Sequence, residues 1–493
     1  MGLSASAHDV RTLIESFHPI LAIETAEEER AGRLLRYVAG DLGCTFFEWS
    51  ITRGLTREPA THPISATTEP LGLLKHMEGL TVEAIYHLKD LAPHLADPVI
   101  GRKFREVALR YQNRRSAMVL TGSRIELAGD VEDLAARYEL LMPSRDELRE
   151  VVRSVIESLG SSSRVQVTLQ PEDLDGILDA LSGMTLNQAR QAVARVILAD
   201  GRLGPDDVGR IQKEKAAAVA ESGILEYFPV EDNRFELAGF ARLKRWLERA
   251  KIGFTPEARE LNLTAPRGIL LAGVQGCGKS LAAKVIARDW RMPLLKLDAG
   301  QLLDKYIGES EKNLRRAIAL AESMAPCVLW IDEIEKSFVP SNNDGGVSRR
   351  LLGTFLTWLQ ERGADVFVVA TANDVFSLPP ELVRKGRFDE LFFVDLPTPE
   401  EREQILRVHL ALRKQDPTAV EIERIVARTD GFSGAELEQA VIAALYRALH
   451  ERDKLGTDHL LEEVDGTRPL SVSRREDLER LRALARDRFV PVG

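Results

Sequence analysis

Past its midpoint the chain reads Gly273-Val274-Gln275-Gly276-Cys277-Gly278-Lys279-Ser280. This stretch has the pattern G-x-x-x-x-G-K-[ST] and follows the apolar run Gly268 to Ala272. An apolar strand, a glycine-rich turn and a helix, which we predict from Leu281 to Arg288, form the setting in which the pattern binds phosphate. The glycines let backbone N–H groups point at phosphate oxygens, and the helix N-terminus adds a partial positive charge. We therefore predict a nucleotide-phosphate site formed by Val274 through Leu281.

Two later apolar runs end in polar residues that suit such a loop. The run Cys327 to Ile331 predicts a buried strand, and it ends at Asp332 and Glu333. The run Val366 to Thr371 leads to Asn373. An Asp-Glu pair alone is typical of a solvated strand end, but behind an apolar run and downstream of a phosphate loop it indicates a catalytic pair.

Each of these side chains has a predicted role. Lys279 is predicted to reach the β- and γ-phosphates, while Ser280 and Asp332 hold Mg²⁺. Glu333 is predicted to polarise an attacking water, which Asn373 orients. The sequence thus predicts ATP and Mg²⁺ as cofactors.

Two further motifs lie downstream. They read Arg384-Lys385-Gly386-Arg387-Phe388-Asp389 and Asp430-Gly431-Phe432-Ser433-Gly434-Ala435. With the phosphate loop, they resemble the AAA clade of the AAA+ ATPases over residues 233–450. The wider pattern, including Trp330 to Ile334 and the closing Arg468-Pro469-Leu470, resembles an AAA ATPase family encoded in cyanobacterial and algal chloroplast genomes.

The resemblance implies roles for several of these residues. Arg384 and Arg387 would be arginine fingers acting on ATP held by a neighbouring subunit, so the chain is expected to form a ring, a homo-hexamer. Asn373 would be the sensor 1 residue. Gly434 and Ala435 are assigned to the nucleotide site. Ala435 stands where other AAA+ clades carry a sensor 2 arginine, so no arginine of the same chain is expected there.

Two shorter assignments also follow from the resemblance. Gly239, in Leu237-Ala238-Gly239, would contact the adenine base. Tyr306 and Ile307, between a predicted strand and the next helix, would form a pore loop that grips a threaded polypeptide. A buried loop tyrosine is the alternative for Tyr306.

The first half of the chain repeats the second. A shift of 248 residues places Thr25 on Gly273, and the same shift places Gly183-Met184-Thr185 on Gly431-Phe432-Ser433. One offset at two distant places indicates an internal duplication. The predicted fold is α/β, with two tandem AAA+-like modules that each consist of a parallel sheet flanked by helices and followed by a helical lid. The predicted domains are residues 1–160, 161–225, 226–397 and 398–493.

The chemistry of the site is missing from the first copy. Glu27, Glu28 and Glu29 stand where a polyanion would bind, and Lys89 takes the metal-binding position. We predict that this degenerate module binds no nucleotide and acts as a scaffold or recruiting module. An unrelated α/β domain with a chance offset is the alternative.

Composition limits the remaining possibilities. The net charge of −10 disfavours non-specific binding to nucleic acid. The three cysteines show no metal-binding spacing and fit a reducing compartment. The sequence shows no signal peptide and no apolar run near the ~20 residues of a membrane span. A cytoplasmic location is therefore expected. Cys277 beside Lys279 could have a lowered thiol pKa, or it could simply be a small side chain that fits a tight loop.

The sequence predicts a Mg²⁺-dependent ATPase that acts as a ring-shaped motor on a protein client. An ATP-gated assembly scaffold with slow hydrolysis and no threading is the first alternative. A nucleic-acid-dependent AAA protein is the second, which the acidic composition disfavours.

Overall fold

The computed structural model describes residues 2–60, 62–160, 166–167, 170–221, 223–229, 236–297, 302, 309–338, 346–361, 365–384 and 386–493. The chain divides into two compact units, Met1–Ile211 (unit one) and Gln212–Gly493 (unit two). The main sheet of unit one has six strands, and that of unit two has seven.

Unit one alternates strands and helices over its first 140 residues and is mostly helical after that, with one pair of two-residue strands. Its strands are β1 (Ile20–Glu24), β2 (Thr45–Ser50), β3 (Gly54–Arg57), β4 (Ala84–Lys89), β5 (Ala117–Gly122), β6 (Ala135–Arg137), β7 (Gln166–Val167) and β8 (Arg202–Leu203). Its helices are α1 (Gly2–Glu15), α2 (Glu28–Leu42), α3 (Pro70–Gly79), α4 (Pro98–Tyr111), α5 (Gly129–Glu132), α6 (Arg145–Gly160), α7 (Pro171–Leu181), α8 (Leu186–Asp200) and α9 (Asp207–Glu221), the last of which spans the division between the units.

Helices cover both faces of the sheet of unit one because side chains alternate along each strand. In β1, Leu21 and Ile23 join the core formed with α1 and α2. Ile20 and Ala22 join a second core, formed with α3 and α4. This three-layer arrangement buries β1 on both sides and fixes where the loop after it begins.

Unit two has the same alternation of strands and helices, followed by a helical lid. Its strands are β9 (Leu225–Phe228), β10 (Gly268–Gly273), β11 (Leu294–Leu297), β12 (Cys327–Ile331), β13 (Val366–Ala372), β14 (Glu390–Val394) and β15 (Val490–Pro491). Helices of its sheet domain are α10 (Ala241–Ala250), α11 (Pro256–Glu260), α12 (Lys279–Trp290), α13 (Glu309–Ser323), α14 (Ile334–Phe338) and α15 (Val347–Glu361). The lid and the segment after it contain α16 (Pro399–Leu412), α17 (Ile422–Arg428), α18 (Gly434–Glu451), α19 (Thr457–Gly466), α20 (Leu470–Ser473) and α21 (Arg475–Arg488).

The two main sheets share the order of their five central parallel strands. The strand order of unit one is β3-β2-β4-β5-β1-β6, and that of unit two, read from the opposite edge, is β9-β11-β12-β13-β10-β14-β15. In both sheets the edge strand, β3 or β9, is antiparallel to its neighbour, and the other paired strands are parallel. The predicted fold class of two tandem AAA-like α/β modules is confirmed.

Strand register shows how closely the copies correspond. Thr121 of β5 lies opposite Ile23 of β1, and Thr371 of β13 lies opposite Leu271 of β10. The backbone is also alike after β4 of unit one and β12 of unit two, since Asp90 has a φ of 51° and Glu333 a φ of 50°. Both residues adopt a left-handed conformation that is unusual for residues other than glycine.

The lid packs around its own apolar core, to which Leu406, Ile425, Leu437 and Leu460 contribute. Its longest helix, α18, begins at a capping box in which Ser433 accepts from the backbone N–H of Glu436. This cap fixes the point at which the lid approaches the glycine-rich loop.

Candidate active site

The glycine-rich loop leaves the buried strand β10 and opens α12, as the sequence predicts. A Cβ atom at Gly273 would lie 2.1 Å from the carbonyl oxygen of Val394, so the loop passes too close to β14 for any side chain. Gly278, with a φ of 90°, caps the start of α12. The N-terminus of that helix therefore faces the loop, an arrangement that favours anions.

The ammonium group of Lys279 lies inside the loop. Its Nζ donates to the carbonyl oxygens of Gly273 (2.9 Å) and Val274 (2.7 Å), and the residue is 5% exposed. Burial lowers the pKa of Lys279 to about 8, against the opposing effect of nearby acidic groups. A buried cation held by neutral carbonyls would gain from a polyanion, because opposite charge restores the charged form that burial disfavours.

Asp332 links the loop to the central strands. Its Oδ1 accepts from the hydroxyl of Ser280 (2.9 Å) and from the hydroxyl of Thr371 (2.6 Å). Hydroxyl and carboxylate oxygens at a helix start and a strand end are ligands that suit Mg²⁺. Ser280 and Asp332 therefore fit the predicted metal, which they would hold together with phosphate oxygens.

The side chains of Glu333 and Asn373 are joined by a hydrogen bond. Asn373 Nδ2 donates to Glu333 Oε1 over 2.8 Å, and the backbone N–H of Glu333 donates to the Thr371 hydroxyl over 3.0 Å. The second oxygen of Glu333 forms an ion pair with Lys336. The structure thus brings the predicted base and the predicted water-orienting residue together beside the metal-type carboxylate.

Sequence reasoning missed three members of this network. Thr371 closes the apolar run of β13, and its hydroxyl joins Asp332 to the backbone of Glu333. Glu335 Oε1 accepts from the backbone N–H of Asn373 at 2.9 Å, which fixes the loop after β13. The third is Lys336, and the only signal for it is its spacing of three residues from Glu333.

The lid reaches the phosphate loop through the start of α18. The backbone N–H of Ala435 donates to the carbonyl oxygen of Gly276 at 2.9 Å, and a Cβ at Gly434 would lie 3.2 Å from the same oxygen. Both predicted lid residues therefore lie at the loop. Alanine at 435 leaves no cationic side chain at this point.

Gly239 lies against the lid rather than in an open pocket. Its backbone N–H donates to Gln404 Oε1 at 3.0 Å, and a Cβ there would lie 2.3 Å from Glu401 Oε1. A small crevice beside it is lined by Ala238 and Cys277 among others. Burial raises the pKa of the Cys277 thiol to about 12, so the hypothesis of a lowered thiol pKa is wrong. The remaining predicted loop residues, Val274, Gln275 and Leu281, lie in or directly after the loop.

The predicted arginine fingers, Arg384 and Arg387, lie outside this network. Arg384 is exposed, and its side chain makes no hydrogen bond or ion pair with any residue that the structure describes. Arg387 donates to the carbonyl oxygen of Glu381 at 2.7 Å, so its guanidinium is not paired with the carboxylate of Glu381. The predicted pore residues Tyr306 and Ile307 lie outside the described residues.

A cavity of about 500 Å³ opens beside the loop. One wall is the start of the loop, Gly273–Gln275, and a second comes from Asn373 and Phe376 after β13. The third wall belongs to α20 and α21, which follow the lid. Arg384 and Arg387 do not line this cavity.

The corresponding place in unit one is occupied by protein side chains. Glu27 Oε1 accepts from the backbone N–H of Leu186, at the start of α8, over 2.7 Å. Arg30 is buried beside it and forms two hydrogen bonds with Glu147, at 2.8 and 3.2 Å. Lys89, at the end of β4, is ion-paired with Glu48. A carboxylate of the chain itself thus contacts the lid-like helix of unit one.

These features define a class of protein. The strand–loop–helix unit, the hydroxyl and carboxylate beside it and the Glu333–Asn373 pair are those of a P-loop nucleotide hydrolase module with an AAA-type sheet order. Family models match in the same places. The model for the ATPase family associated with various cellular activities (AAA) matches residues 269–396, and the AAA+ lid domain model matches residues 419–463. Models for the N-terminal and second domains of SpoVK-like AAA ATPases match residues 6–140 and 146–222.

Full-length relatives narrow the class further. The chain is 36% identical over 456 residues to the AAA domain-containing protein ycf46 of Trieres chinensis, covering 91% of this chain and 90% of that protein. It is 35% identical over 479 residues to ycf46 of Guillardia theta, covering 96% and 93%. The chain belongs to the ycf46 family of AAA ATPases, as the motifs predict.

A more distant relative matches less than half of the chain. The proteasome-activating nucleotidase of Aeropyrum pernix is 34% identical over 215 residues, which are 42% of this chain and 52% of that protein. None of the helices in the described parts of the chain combines the length and apolarity needed to cross a membrane.

Proposed function

We propose that unit two hydrolyses ATP to ADP and phosphate with Mg²⁺. The observation that carries this proposal is the hydrogen-bonded chain from Ser280 through Asp332 and Thr371 to Glu333 and Asn373. It fixes the predicted metal ligand Asp332 and the predicted base Glu333 side by side, directly after strand β12 and next to a phosphate loop. Phosphoryl transfer depends mainly on such positioning and on charge stabilisation.

Phosphate binding would fall to the loop and to Lys279. When ATP enters, the ammonium group of Lys279 turns from the carbonyl oxygens of Gly273 and Val274 to the β- and γ-phosphates. Ser280 and Asp332 would hold Mg²⁺, which would supply positive charge to the phosphate oxygens. The backbone N–H groups of the loop and the N-terminus of α12 complete the anion site.

Bond formation would be governed by Glu333. A water oxygen attacks the γ-phosphorus, the bond to the β–γ bridging oxygen breaks, and ADP leaves with that oxygen. Glu333 accepts a proton from the water, and its hydrogen bond with Asn373 holds its carboxylate in position. Lys336, whose side chain is 65% exposed, can move into solvent as water takes its place beside Glu333.

We further propose that the chain works as a ring, a homo-hexamer, that remodels a protein client. Arg384 is exposed and lies outside the network around its own phosphate loop, which suits a finger that acts on the next subunit. Part of the chain, 215 residues, also resembles a protein whose name, proteasome-activating nucleotidase, denotes action on a protein assembly. Client-stimulated turnover that is lost in Tyr306→Ala would support threading, whereas retained stimulation would favour a scaffold.

Unit one is proposed to carry no nucleotide and to serve as a scaffold or recruiting module. Glu27 supports this proposal, because its carboxylate already accepts a hydrogen bond from the backbone N–H of Leu186, at the start of α8. The division of the chain into domains that end at residues 160, 225 and 397 remains a prediction.

Nucleotide titration of Lys279→Ala tests the ATPase proposal. We expect ATP binding to be abolished, because the loop loses its only cationic side chain. Lys454→Ala is the matched control, since Lys454 is exposed and follows the end of α18 that is remote from the loop. Unchanged ATP affinity in Lys279→Ala would refute the phosphate-loop assignment.

A further inference from the structure

The segment that follows the lid, residues 467–493 (the tail), returns to the sheet of unit two. Its last strand, β15, pairs with β14, and the carbonyl oxygen of Val492 accepts from the backbone N–H of Arg242 at 2.9 Å. Within α21, Arg482 makes three hydrogen bonds of 2.8 to 3.1 Å to the carboxylate of Asp395, directly after β14. These contacts fix the tail against the module that holds the phosphate loop.

The first part of the tail lies over the cavity beside the loop. Ser471 packs so closely on Gly431 that a Cβ there would lie 2.4 Å from its hydroxyl oxygen. Among the described residues that line the cavity, the cationic side chains are Arg474 and Arg480, and both belong to the tail. The sheet domain itself contributes no cation to this lining in the described part of the chain.

The two arginines differ in what holds them. The guanidinium of Arg480 lies 5.3 Å from the centroid of the Phe376 ring, a cation–π contact that occupies it. The side chain of Arg474 makes no hydrogen bond or ion pair with any residue that the structure describes, although Asp477 is only one turn away. Arg474 thus contributes a positive charge to the cavity that no described residue neutralises.

The cavity contacts the groups at which a terminal phosphate would be handled. It is lined by Gly273 and Val274, whose carbonyl oxygens hold the ammonium group of Lys279. It is also lined by Asn373, which is bonded to Glu333. Arg474 lines the same cavity as these groups.

We propose that Arg474 contacts the terminal phosphate of ATP bound to the same chain. This inference rests on the proposed ATPase function and adds a residue to it. The guanidinium group presents a planar set of donors that matches phosphate oxygens, and it remains charged at any working pH. Since α18 presents Ala435 rather than an arginine at the loop, the tail would supply the cation that the lid lacks.

The test compares a nucleotide that has a third phosphate with one that lacks it. Affinities for ADP and for a non-hydrolysable ATP analogue with an imido β–γ bridge are measured by calorimetry, in Mg²⁺, on the full chain. In Arg474→Ala we expect the affinity for the analogue to fall about tenfold or more, with the affinity for ADP unchanged. Arg474→Lys should restore part of the loss, because it keeps the charge without the fork.

Arg475→Ala is the matched control. Arg475 is the next residue, its side chain is 80% exposed, and it pairs with Glu479 on the same helix at 3.2 Å. The unfolding midpoint without nucleotide should be the same in Arg474→Ala and in this control, while the stabilisation by the analogue should shrink in Arg474→Ala alone. If Arg474→Ala is itself destabilised, Arg474→Gln, which keeps a polar chain but removes the charge, replaces it.

Equal losses for ADP and for the analogue, or no loss for either, would overturn the inference. The role of Lys279 distinguishes this failure from failure of the proposed function. If Lys279→Ala abolishes binding while Arg474→Ala keeps the preference for the analogue, only the role of Arg474 is refuted. If the unmodified chain binds neither nucleotide, both proposals are refuted.

Discussion

Replacing Arg30 should destabilise unit one strongly. The side chains of Arg30 and Glu147 are 6% and 3% exposed, and they share two hydrogen bonds of 2.8 and 3.2 Å. Methionine at position 30 would fill much of the same volume but leave the Glu147 carboxylate buried without its cation. Breaking a buried pair in this way typically costs about 3–5 kcal/mol of unfolding free energy.

The assay is thermal and urea unfolding of the full chain, with the transition of unit one followed by Trp49 fluorescence, since Trp49 lies in the core of that unit. For a unit of this size the loss corresponds to a fall in midpoint of about 6–20 °C. Arg11→Met is the control, because Arg11 pairs with Asp41 at the surface of the same unit, where the side chains are 42% and 45% exposed. Surface pairs contribute little, so its midpoint should barely move.

A double variant sharpens the test. Arg30→Met combined with Glu147→Leu removes both charges, so it should recover much of the lost stability. The reasoning is refuted if Arg30→Met shifts the midpoint no more than Arg11→Met does.

Acid should weaken the same contact. Although burial raises the pKa of Glu147, the hydrogen bonds from Arg30 and Ser144 and the charge of Arg30 together hold it below its ordinary value of 4.5. A carboxyl group with a depressed pKa in the folded state contributes stability above its unfolded pKa, and that stability is lost as pH falls through the folded pKa. The stability of unit one should therefore decline below pH 4.5, and by less in Arg30→Met than in the unmodified chain.

Three further outcomes test the candidate site of unit two and the corresponding loop of unit one. Thr371→Val removes the hydroxyl that joins Asp332 to the backbone of Glu333, so ATP turnover should fall about tenfold, whereas the equivalent Thr121→Val in unit one should leave turnover unchanged. Glu333→Gln should lower turnover by roughly 10²-fold, and the double variant Arg384→Ala/Arg387→Ala should lower it by roughly 10³-fold. Mixed rings of the two variants should regain activity. A mixture that co-assembles and stays inactive would contradict arginine fingers that act between subunits. Calorimetry should find one nucleotide per chain, because glutamates fill the loop of unit one, and a second bound equivalent would show that this loop binds after all.

The strands were predictable because they are continuous apolar runs. The predicted bounds of β12 agree with the structure residue for residue, and β10 and β13 each extend one residue beyond the predicted run. The observed helix α12 is longer than the predicted one by two residues at each end. In contrast, α1 and β15 were not predicted. The first lacks a strong sequence signal, and the second has two residues, one of them a proline, so it exists only because β14 offers an edge.

The main side chains of the candidate site were likewise predictable from motifs, but their connections were not. Thr371 looks like the end of an apolar strand, and only the register of β12 and β13 shows that it lies next to Asp332. Arg474 is some 200 residues from the phosphate loop, and no local pattern links the two. Of the two hypotheses for Cys277, the lowered thiol pKa is wrong because burial outweighs the nearby positive charge in setting its pKa.

The left-handed conformation of Glu333, after β12, has a consequence for how a catalytic site of this kind originates. Backbone strain beside a reactive group is often regarded as energy stored for catalysis. Here Asp90 holds the same conformation as Glu333, within one degree of φ, next to a lysine in the metal position. The conformation therefore belongs to the architecture of the sheet and not to the reaction. Activity in either copy could then be acquired or lost through side-chain replacement alone, without remodelling of the backbone.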